Sequence, residues 1–225
     1  MLREQDKTEP AKMRENTMKS KFITFEGSEG CGKSTQSKLF YQYLKRKGCP
    51  VVYLREPGST KIGEQIRRIL LAPRNQVMAP ACEMLLYMAA RAQIVSEIIS
   101  PSLKKGKIVI CDRFLDSTLA YQGYGLGINS KTIKYIGDFV TAGIKPDLTI
   151  FLNLATEKGL ERCGQVKDRI EKRSFGYHLR VKEGYLKLAR QEPTRIKIIR
   201  VESSADKTQE KIRKLADRFL EKDVL

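Results

Sequence analysis

Residues 22–35 of the chain read FITFEGSEGCGKST. The first four residues predict a short buried strand, the glycines predict a tight loop, and residues 35–47 predict a helix. The pattern G-x-x-x-x-G-K-S spans Gly27 to Ser34. Its glycines let successive backbone N–H groups point at one phosphate, and the helix that follows adds its positive N-terminal dipole. The stretch therefore predicts a nucleoside triphosphate site.

Each residue of this loop has an expected role. The Lys33 ammonium group would reach the β- and γ-phosphates of ATP, and the Ser34 hydroxyl would ligate Mg²⁺. Turn glycines without a ligand are the alternative, but the strand before the loop and the helix after it favour a phosphate site. The expected triphosphate contacts are Gly27, Ser28, Glu29, Gly30, Cys31, Gly32, Lys33, Ser34 and Thr35.

The rest of the chain alternates short apolar runs with helical patterns. Further strands are predicted at 51–54, 107–111, 148–154 and 196–201, and helices at 61–71, 80–104, 114–123, 130–142, 156–163, 174–191 and 206–221. Nearly continuous apolar strands separated by helices are typical of a parallel sheet that is covered on both faces. We therefore expect an α/β, P-loop NTPase-type three-layer fold with a five-stranded parallel sheet. Residues 21–225 would form one domain after a flexible tail at residues 1–20.

Composition limits the classes of function. The chain has 225 residues and a formal net charge of +17. No apolar run reaches the ~18 residues that a membrane span needs, and residues 1–21 lack a signal-peptide pattern. A cytoplasmic protein is therefore expected. The positive charge suits polyanions, but it is spread along the chain without a nucleic-acid-binding motif, so nucleic acid is not the expected partner.

The cysteines and the single histidine give weak signals. An odd count of five cysteines without a C-x-x-C pair predicts reduced thiols. His178 lies in a polar helical pattern, where a surface or packing role is expected rather than catalysis.

Two further motifs follow predicted strands. Residues 55–60, REPGST, follow the second strand, and Asp112-Arg113 follow the third. Ligands of such sheets bind beyond the carboxyl ends of the strands, so both motifs would reach the same site as the loop. Asp112 could hold Mg²⁺, and Arg113 could grip an acceptor phosphate. An ordinary turn at 55–60 and a structural salt bridge at 112–113 are the alternatives.

Two pairs of residues have the four-residue spacing of one helix face: Tyr87 with Arg91, and Thr118 with Gln122. An aromatic ring beside an arginine could stack on a base and donate to its carbonyl, although either pair taken alone is more typical of ordinary helix surface or core. The chain lacks the N-K-x-D segment of GTPases, the L-S-G-G-Q signature of transporter ATPases and the H-R-D loop of protein kinases. Its size favours a small-molecule kinase.

Taken together, the motifs FEGxEGxGKS, REPGST, YMAAR, DRFxxSxxAYQG, PDLTIFL and DRIE resemble those of the thymidylate kinase family of the bacterial type. The resemblance covers about residues 21–220. It implies transfer of the γ-phosphoryl group of ATP to dTMP, giving dTDP and ADP on the route to dTTP, by a homodimer. It also implies a cis peptide at Glu56-Pro57. The implied dTMP contacts are Glu29, Arg55, Arg67, Tyr87, Arg91, Arg113, Thr118, Tyr121 and Gln122.

The resemblance also implies a catalytic lid. Some family members carry an arginine within the phosphate loop, where this chain has Cys31, and the bacterial type supplies arginine from a lid at about residues 162–173. Arg162 and Arg169 are the expected lid cations, although the segment is short and could be a solvated surface. Adenine contacts near residues 202–204 are the least specific part of the resemblance. The expected catalytic residues are Lys33, Glu29, Arg113, Arg162 and Arg169, with Ser34 and Asp112 at the metal.

The sequence leaves two alternatives open. One is a kinase that acts on another nucleoside monophosphate or on a deoxynucleoside. The other is a basic P-loop protein that binds nucleic acid and uses ATP for regulation.

Overall fold

The computed structural model describes residues 19–165 and 167–221. Most of the expected tail (residues 1–18), Val166 of the expected lid and residues 222–225 lie outside this range. Five strands occur in the described chain: β1 (Lys21–Glu26), β2 (Val51–Arg55), β3 (Ile108–Asp112), β4 (Leu148–Asn153) and β5 (Ile196–Arg200). They form one parallel sheet in the order β2-β3-β1-β4-β5. The expected five-stranded parallel sheet is confirmed.

Helices connect these strands. Their bounds are α1 (Lys33–Arg46), α2 (Lys61–Leu71), α3 (Pro80–Ile94), α4 (Ser100–Lys104), α5 (Leu115–Thr118), α6 (Ser130–Thr141), α7 (Thr156–Glu161), α8 (Phe175–Gln191) and α9 (Ala205–Glu221). Two π-helical segments, Val95–Ile99 and Leu119–Gly125, interrupt the helical regions.

The single helix expected over residues 80–104 is confirmed in extent, but it is not α-helical throughout. The structure divides it into α3, the segment Val95–Ile99 and α4. Pro101 lies at the start of α4 and has no N–H to donate to the carbonyl of Glu97, so the regular hydrogen-bond pattern is lost just before it. The helix expected over 114–123 is likewise split, and its second part carries Tyr121 and Gln122 in the segment Leu119–Gly125.

Alternation along β1 separates the two faces of the sheet. Ile23 and Phe25 face a cluster with Phe40 of α1 and Ile212 of α9. Phe22 faces the opposite cluster, with Ile94 of α3. Because side chains alternate along a strand, the last residue of β1, Glu26, lies on the same face as Phe22. Among the described residues, no helix is long and apolar enough to cross a membrane.

Candidate active site

The glycine-rich loop curls between β1 and α1. Gly30 has φ 65° and Gly32 has φ 90°, left-handed conformations that glycine adopts without strain. A Cβ atom at Gly30 would lie 1.8 Å from the carbonyl oxygen of Gly159 in α7. Only glycine therefore allows α7, which leads into the expected lid, to pack directly on the phosphate loop.

Lys33, Ser34 and Asp112, the expected phosphate and metal ligands, are held by hydrogen bonds at the loop. The Lys33 ammonium group is 7% exposed and donates to the Ser28 carbonyl at 2.8 Å. The Ser34 hydroxyl donates to a carboxylate oxygen of Asp112 at 2.5 Å. Asp112 ends β3 and is paired in register with Phe25 of β1. Parallel pairing of these two strands thus brings the two expected metal ligands together.

A cavity of about 610 Å³ opens beyond the carboxyl ends of these strands. Its volume lies in the range of small-molecule sites. The expected residues that line it are Glu29, Gly30, Gly32, Lys33, Ser34, Thr35, Arg55, Arg67, Tyr87, Asp112, Arg113, Thr118, Tyr121, Gln122 and Arg162. The structure thus gathers most of the expected residues around one space, whereas Gly27, Ser28, Cys31, Arg91 and Arg169 are not part of its lining.

Arg113 connects the phosphate loop to the aromatic wall of the cavity. Its guanidinium donates to Glu29 at 2.9 Å, to the Tyr121 hydroxyl at 2.9 Å and to the Gly27 carbonyl at 3.1 Å. The Tyr121 hydroxyl in turn donates to Glu29 at 2.6 Å. Although burial raises the pKa of Glu29, the positive charges of Arg113 and Lys33 outweigh it and bring the pKa to about 2. Glu29 is therefore ionised at neutral pH.

The Arg113 backbone has φ 77°, a left-handed conformation that is unusual for a residue with a side chain. Its N–H donates to the Phe25 carbonyl at 3.0 Å, so the turn after β3 is tied to β1. Strain of this kind concentrates at functional sites, where the surrounding structure holds it. The left-handed turn at Arg113 places the guanidinium against the phosphate loop, where it donates to the Gly27 carbonyl.

Glu26 is a buried carboxylate that was not among the predicted site residues. It accepts hydrogen bonds from the Phe114 N–H at 2.7 Å, the Ser117 hydroxyl at 2.6 Å and the Tyr185 hydroxyl at 2.8 Å. Ser117 and Tyr185 also accept from the Arg113 guanidinium, at 3.1 and 3.3 Å. Glu26 therefore supports Arg113 through two hydroxyl groups. A charged residue at the end of an otherwise mostly apolar strand was the signal that could have found it.

Glu26 gives a testable dependence of stability on pH. Burial, reinforced by the negative charge of Asp116, raises the pKa of Glu26 from 4.5 to about 7. The folded state therefore keeps a proton that the unfolded state releases, so this carboxyl stabilises the fold below pH 4.5 and loses that effect as the pH rises towards 7. The variant E26Q lacks this loss. Between pH 4.5 and 8 its free energy of unfolding should improve relative to wild type by the order of 2 to 3 kcal/mol.

Urea unfolding of both proteins across this pH range is the measurement. The variant E183Q, at an exposed position of α8, is the control, and its stability should run parallel to that of the wild type. A constant difference between E26Q and wild type across the range would contradict the raised pKa.

Arg91 is placed differently from the expectation. It is 1% exposed and lies behind the cavity wall, so the expected direct contact with a base is not met in this structure. Its guanidinium donates to Glu56 at 2.8 Å, to Thr118 Oγ1 at 3.0 Å and to the Phe114 carbonyl at 3.0 Å. An arginine so deeply buried requires acceptors for its N–H groups, and these contacts supply them. Arg91 thus orders Thr118, which does line the cavity.

The two expected lid arginines have opposite environments. Arg162 is exposed and lines the cavity. Arg169 is 4% exposed and donates to Glu83 at 2.6 Å and to the Leu70 carbonyl at 2.6 Å. The expectation that Arg169 faces the transferring phosphoryl group is therefore corrected, because the buried carboxylate of Glu83 holds its guanidinium away from the cavity.

The remaining expectations concern smaller features. The Glu56-Pro57 peptide is cis, as the resemblance implied. All five cysteine thiols are free. His178 is fully buried and packs edge-on against Tyr177, so the packing alternative holds and the surface alternative does not.

Known proteins are similar to this chain in sequence and in structure over most of its length. The profile of the family described as Thymidylate kinase matches residues 25–212. The thymidylate kinase of Symbiobacterium thermophilum is 48% identical over 202 residues, which cover 89% of this chain and 94% of that protein. The chain belongs to the thymidylate kinase family. Its activity is thymidylate kinase activity, and the kinase is a phosphotransferase, as the motifs predicted.

Two further similarities extend over most of the kinase. The thymidylate kinase of Geotalea uraniireducens is 50% identical over 186 residues, which cover 79% of this chain and 87% of that protein. The crystal structure of thymidylate kinase from Ehrlichia chaffeensis superposes with a TM-score of 0.73 at 34% identity, covering 88% of this kinase and 98% of that chain. Proteins of this family use ATP.

Proposed function

We propose that the kinase binds dTMP in the 610 Å³ cavity and transfers to it the γ-phosphoryl group of an ATP held by the phosphate loop. The observation that carries this proposal is the composition of the cavity wall. Lys33 of the phosphate loop lines the cavity together with four arginines, Arg55, Arg67, Arg113 and Arg162, and with aromatic, hydroxyl and amide side chains. Such a wall suits a small phosphate monoester that also carries a base and a sugar.

Three of the arginines, Arg113, Arg55 and Arg67, are proposed to hold the acceptor phosphate. Arg113 is tied to Glu29 and the loop, as described above. Arg55 donates to Glu64 at 2.8 Å, and Arg67 donates to the Pro57 carbonyl at 3.1 Å. Burial lowers the pKa of Arg67, and the nearby positive charge of Arg55 adds to this effect. An anion among these guanidinium groups would therefore relieve their mutual repulsion.

The aromatic, hydroxyl and amide side chains of the cavity are proposed to receive the nucleoside. Tyr87 would stack on the thymine ring, and Thr118 and Gln122 would hydrogen-bond its edge. The ion pair of Glu29 with Arg113, capped by the Tyr121 hydroxyl, would lie against the deoxyribose. Arg91 takes an indirect part, because it orders Thr118 instead of touching the base.

Mg²⁺ fits the pair formed by Ser34 and Asp112. A hydroxyl and a carboxylate are the oxygen ligands that Mg²⁺ prefers, and a magnesium ion in a kinase completes its shell with water and substrate phosphates. When bound, the ion would neutralise charge on the transferring group. The two side chains are close enough to hold it together, since their oxygens are 2.5 Å apart.

Catalysis would rest on positioning and charge neutralisation. The second pKa of a phosphate monoester is near ~6, so the acceptor oxygen of dTMP is already ionised and no general base is needed. Lys33 would stabilise the negative charge on the transferring phosphoryl group, and Arg113 would align the acceptor. Arg162 is the lid cation proposed to contact the same group.

A panel of acceptors tests the proposed substrate. Phosphoryl transfer from ATP to dTMP, dUMP, dCMP, dAMP and dGMP would be followed by ADP release in the presence of Mg²⁺. Preference for dTMP is expected. A higher kcat/KM for any purine nucleotide would overturn the proposal.

The lid assignment makes a prediction of its own. Arg162→Ala should lower kcat by about 100-fold or more while changing the KM for dTMP little, because the side chain would act on charge that develops in the transition state. Arg169→Ala should instead lower thermal stability, because it removes one partner of the buried Glu83. Steady-state kinetics and thermal unfolding of the two variants separate these roles. Loss of turnover in R169A at unchanged stability, with R162A unaffected, would reverse the assignment.

A homodimer is proposed from an exposed apolar face. Large apolar side chains project from three neighbouring helices, and their exposed fractions lie between 46% and 81%. They are Ile62 and Ile69 of α2, Leu85 of α3, and Tyr135 and Phe139 of α6. An apolar face of this kind marks an interface between proteins. Sedimentation equilibrium should give twice the mass of one chain, and a monomer at micromolar concentration would contradict the proposal.

A cytoplasmic location is also proposed. Its support is the five free thiols, which are typical of proteins kept in a reducing compartment.

A further inference from the structure

Glu83 of α3 lies between the lid and the base-binding wall. The residue is fully buried. One of its carboxylate oxygens, Oε2, accepts from Arg169 Nη1 at 2.6 Å and from Arg173 Nη2 at 2.5 Å. The other oxygen, Oε1, accepts from Gln122 Nε2 at 2.8 Å. One buried carboxylate thus contacts two arginines of the lid region and one amide of the proposed base pocket.

This contact decides which way the Gln122 amide points. A carboxylate paired with two guanidinium groups only accepts hydrogen bonds, whereas an amide has one donor end and one acceptor end. The NH₂ end of Gln122 must therefore face Glu83. Its carbonyl oxygen is the end that remains for the cavity, which Gln122 lines. The base pocket consequently presents an acceptor at this position.

Thr118, four residues before Gln122, presents a hydrogen-bond donor to the cavity. Its oxygen accepts from Arg91 Nη1 at 3.0 Å, so its own proton is not used in that hydrogen bond and can be donated elsewhere. Thr118 also lines the cavity. A donor and an acceptor side by side match a 4-carbonyl and an N3–H group. They mismatch cytosine, whose corresponding groups are an amino group and an N3 lone pair.

We propose that Glu83 is a positioning residue that selects the base, because it fixes the direction of the Gln122 amide and thereby admits thymine or uracil and rejects cytosine. The inference rests on the proposed function and deepens it. Glu83 does not line the cavity, so it acts through Gln122. Arg169 and Arg173 share in this role, since they hold the carboxylate that orients the amide.

The isosteric variant E83Q tests the proposal. Arg169 and Arg173 both donate at the position that Oε2 occupies in the wild type, so the carbonyl oxygen of the new amide must take that position. The NH₂ group of the new amide then faces Gln122. Gln122 must then reverse, offering its oxygen to residue 83 and its NH₂ group to the base. We expect the ratio of kcat/KM for dTMP to that for dCMP to fall by roughly 100-fold, because an N3–H group now meets a donor. The value for dUMP should fall with that for dTMP, because the two bases share the same edge.

The double variant E83Q/Q122E distinguishes a reversed amide from general damage. A carboxylate at position 122 accepts from the NH₂ group of Gln at position 83 and again presents an acceptor to the base, so the ratio should recover. A purely structural role of Glu83 would lower activity on both substrates together and would leave the ratio unchanged. That result, or failure of the double variant to recover the ratio, would overturn the inference.

The chain supplies a matched control. Glu97 accepts from Gln93 Nε2 at 2.8 Å in an exposed pair, so E97Q changes a similar glutamate–glutamine contact away from the cavity. Its substrate ratio should equal that of the wild type. Assay of the wild type with the five nucleotide acceptors separates the proposed function from the proposed role of Glu83. If the wild type fails to phosphorylate dTMP, the proposed function fails, whereas an unchanged ratio in E83Q with an active wild type contradicts only the role of Glu83.

Discussion

Lys33→Ala is expected to lower kcat by ~1,000-fold or more, the largest effect of any single change in the kinase. The ammonium group is held inside the phosphate loop by the Ser28 carbonyl, where it would meet the β- and γ-phosphates. Its charge in that water-poor position has no replacement from a neighbouring side chain of the loop. Thermal unfolding should change by only a few degrees, because Lys33 makes few contacts that the fold itself requires. Initial rates at saturating ATP and dTMP, together with a melting curve, measure both effects.

Lys45→Ala is the matched control for this variant. Lys45 lies in the last turn of the same helix, α1, and is exposed. Its loss removes the same charge from the same element without touching the loop, so turnover should remain that of the wild type. Near-normal turnover in K33A would contradict the proposed mechanism, and equal losses in both variants would indicate an effect of overall charge.

Arg113→Lys is expected to reduce kcat/KM for dTMP by about 1,000-fold, nearly as much as Arg113→Ala. The guanidinium makes hydrogen bonds with Glu29, Tyr121 and the Gly27 carbonyl at the same time, and the point charge of lysine cannot reproduce this fork. The pKa of Glu29 should also rise from its present value of about 2 in R113A, because its largest compensating charge is lost. Both variants keep a side chain at the left-handed backbone position, so strain there is unchanged.

Steady-state kinetics with varied dTMP and direct measurement of ATP binding give the test. ATP affinity should change much less than kcat/KM for dTMP, since Arg113 is assigned to the acceptor. Arg46→Lys, at an exposed position near the end of α1, is the control and should leave both quantities unaltered. If R113K retained wild-type kcat/KM, Arg113 would be a structural salt bridge, the alternative that the sequence also allowed.

Much of the fold was predictable because its signals are local. Mostly apolar runs of four to seven residues defined the strands, and the glycine pattern at 27–34 defined the loop that follows β1. Placement of Asp112 and Arg113 at the site followed from the rule that carboxyl ends of parallel strands share one edge. Pro101 was also a local signal for the change in hydrogen-bond pattern at Val95–Ile99, but the apolar periodicity continues through it.

Contacts between distant parts of the chain decided the rest. Helical spacing correctly placed Tyr87 and Arg91 on neighbouring positions of α3, yet it could not show that Glu56 and Thr118 surround the arginine. The charge run of the lid likewise gave no sign that Glu83 would bury Arg169. The sequence does not distinguish a basic residue that binds a ligand from one that pairs with a buried carboxylate.

The amino-acid sequence by itself determined the phosphate loop, the parallel sheet and the family, because these depend on residues within a few positions of one another and on the order of several motifs. The tertiary structure decided which arginines are free to meet phosphate and which way the polar groups of the pocket point. Arg162 is exposed to the cavity, whereas Arg91 and Arg169 are buried against acceptors from other elements. The physical reason is that a charge or an amide takes its direction from its hydrogen-bond partners, and folding alone brings those partners together.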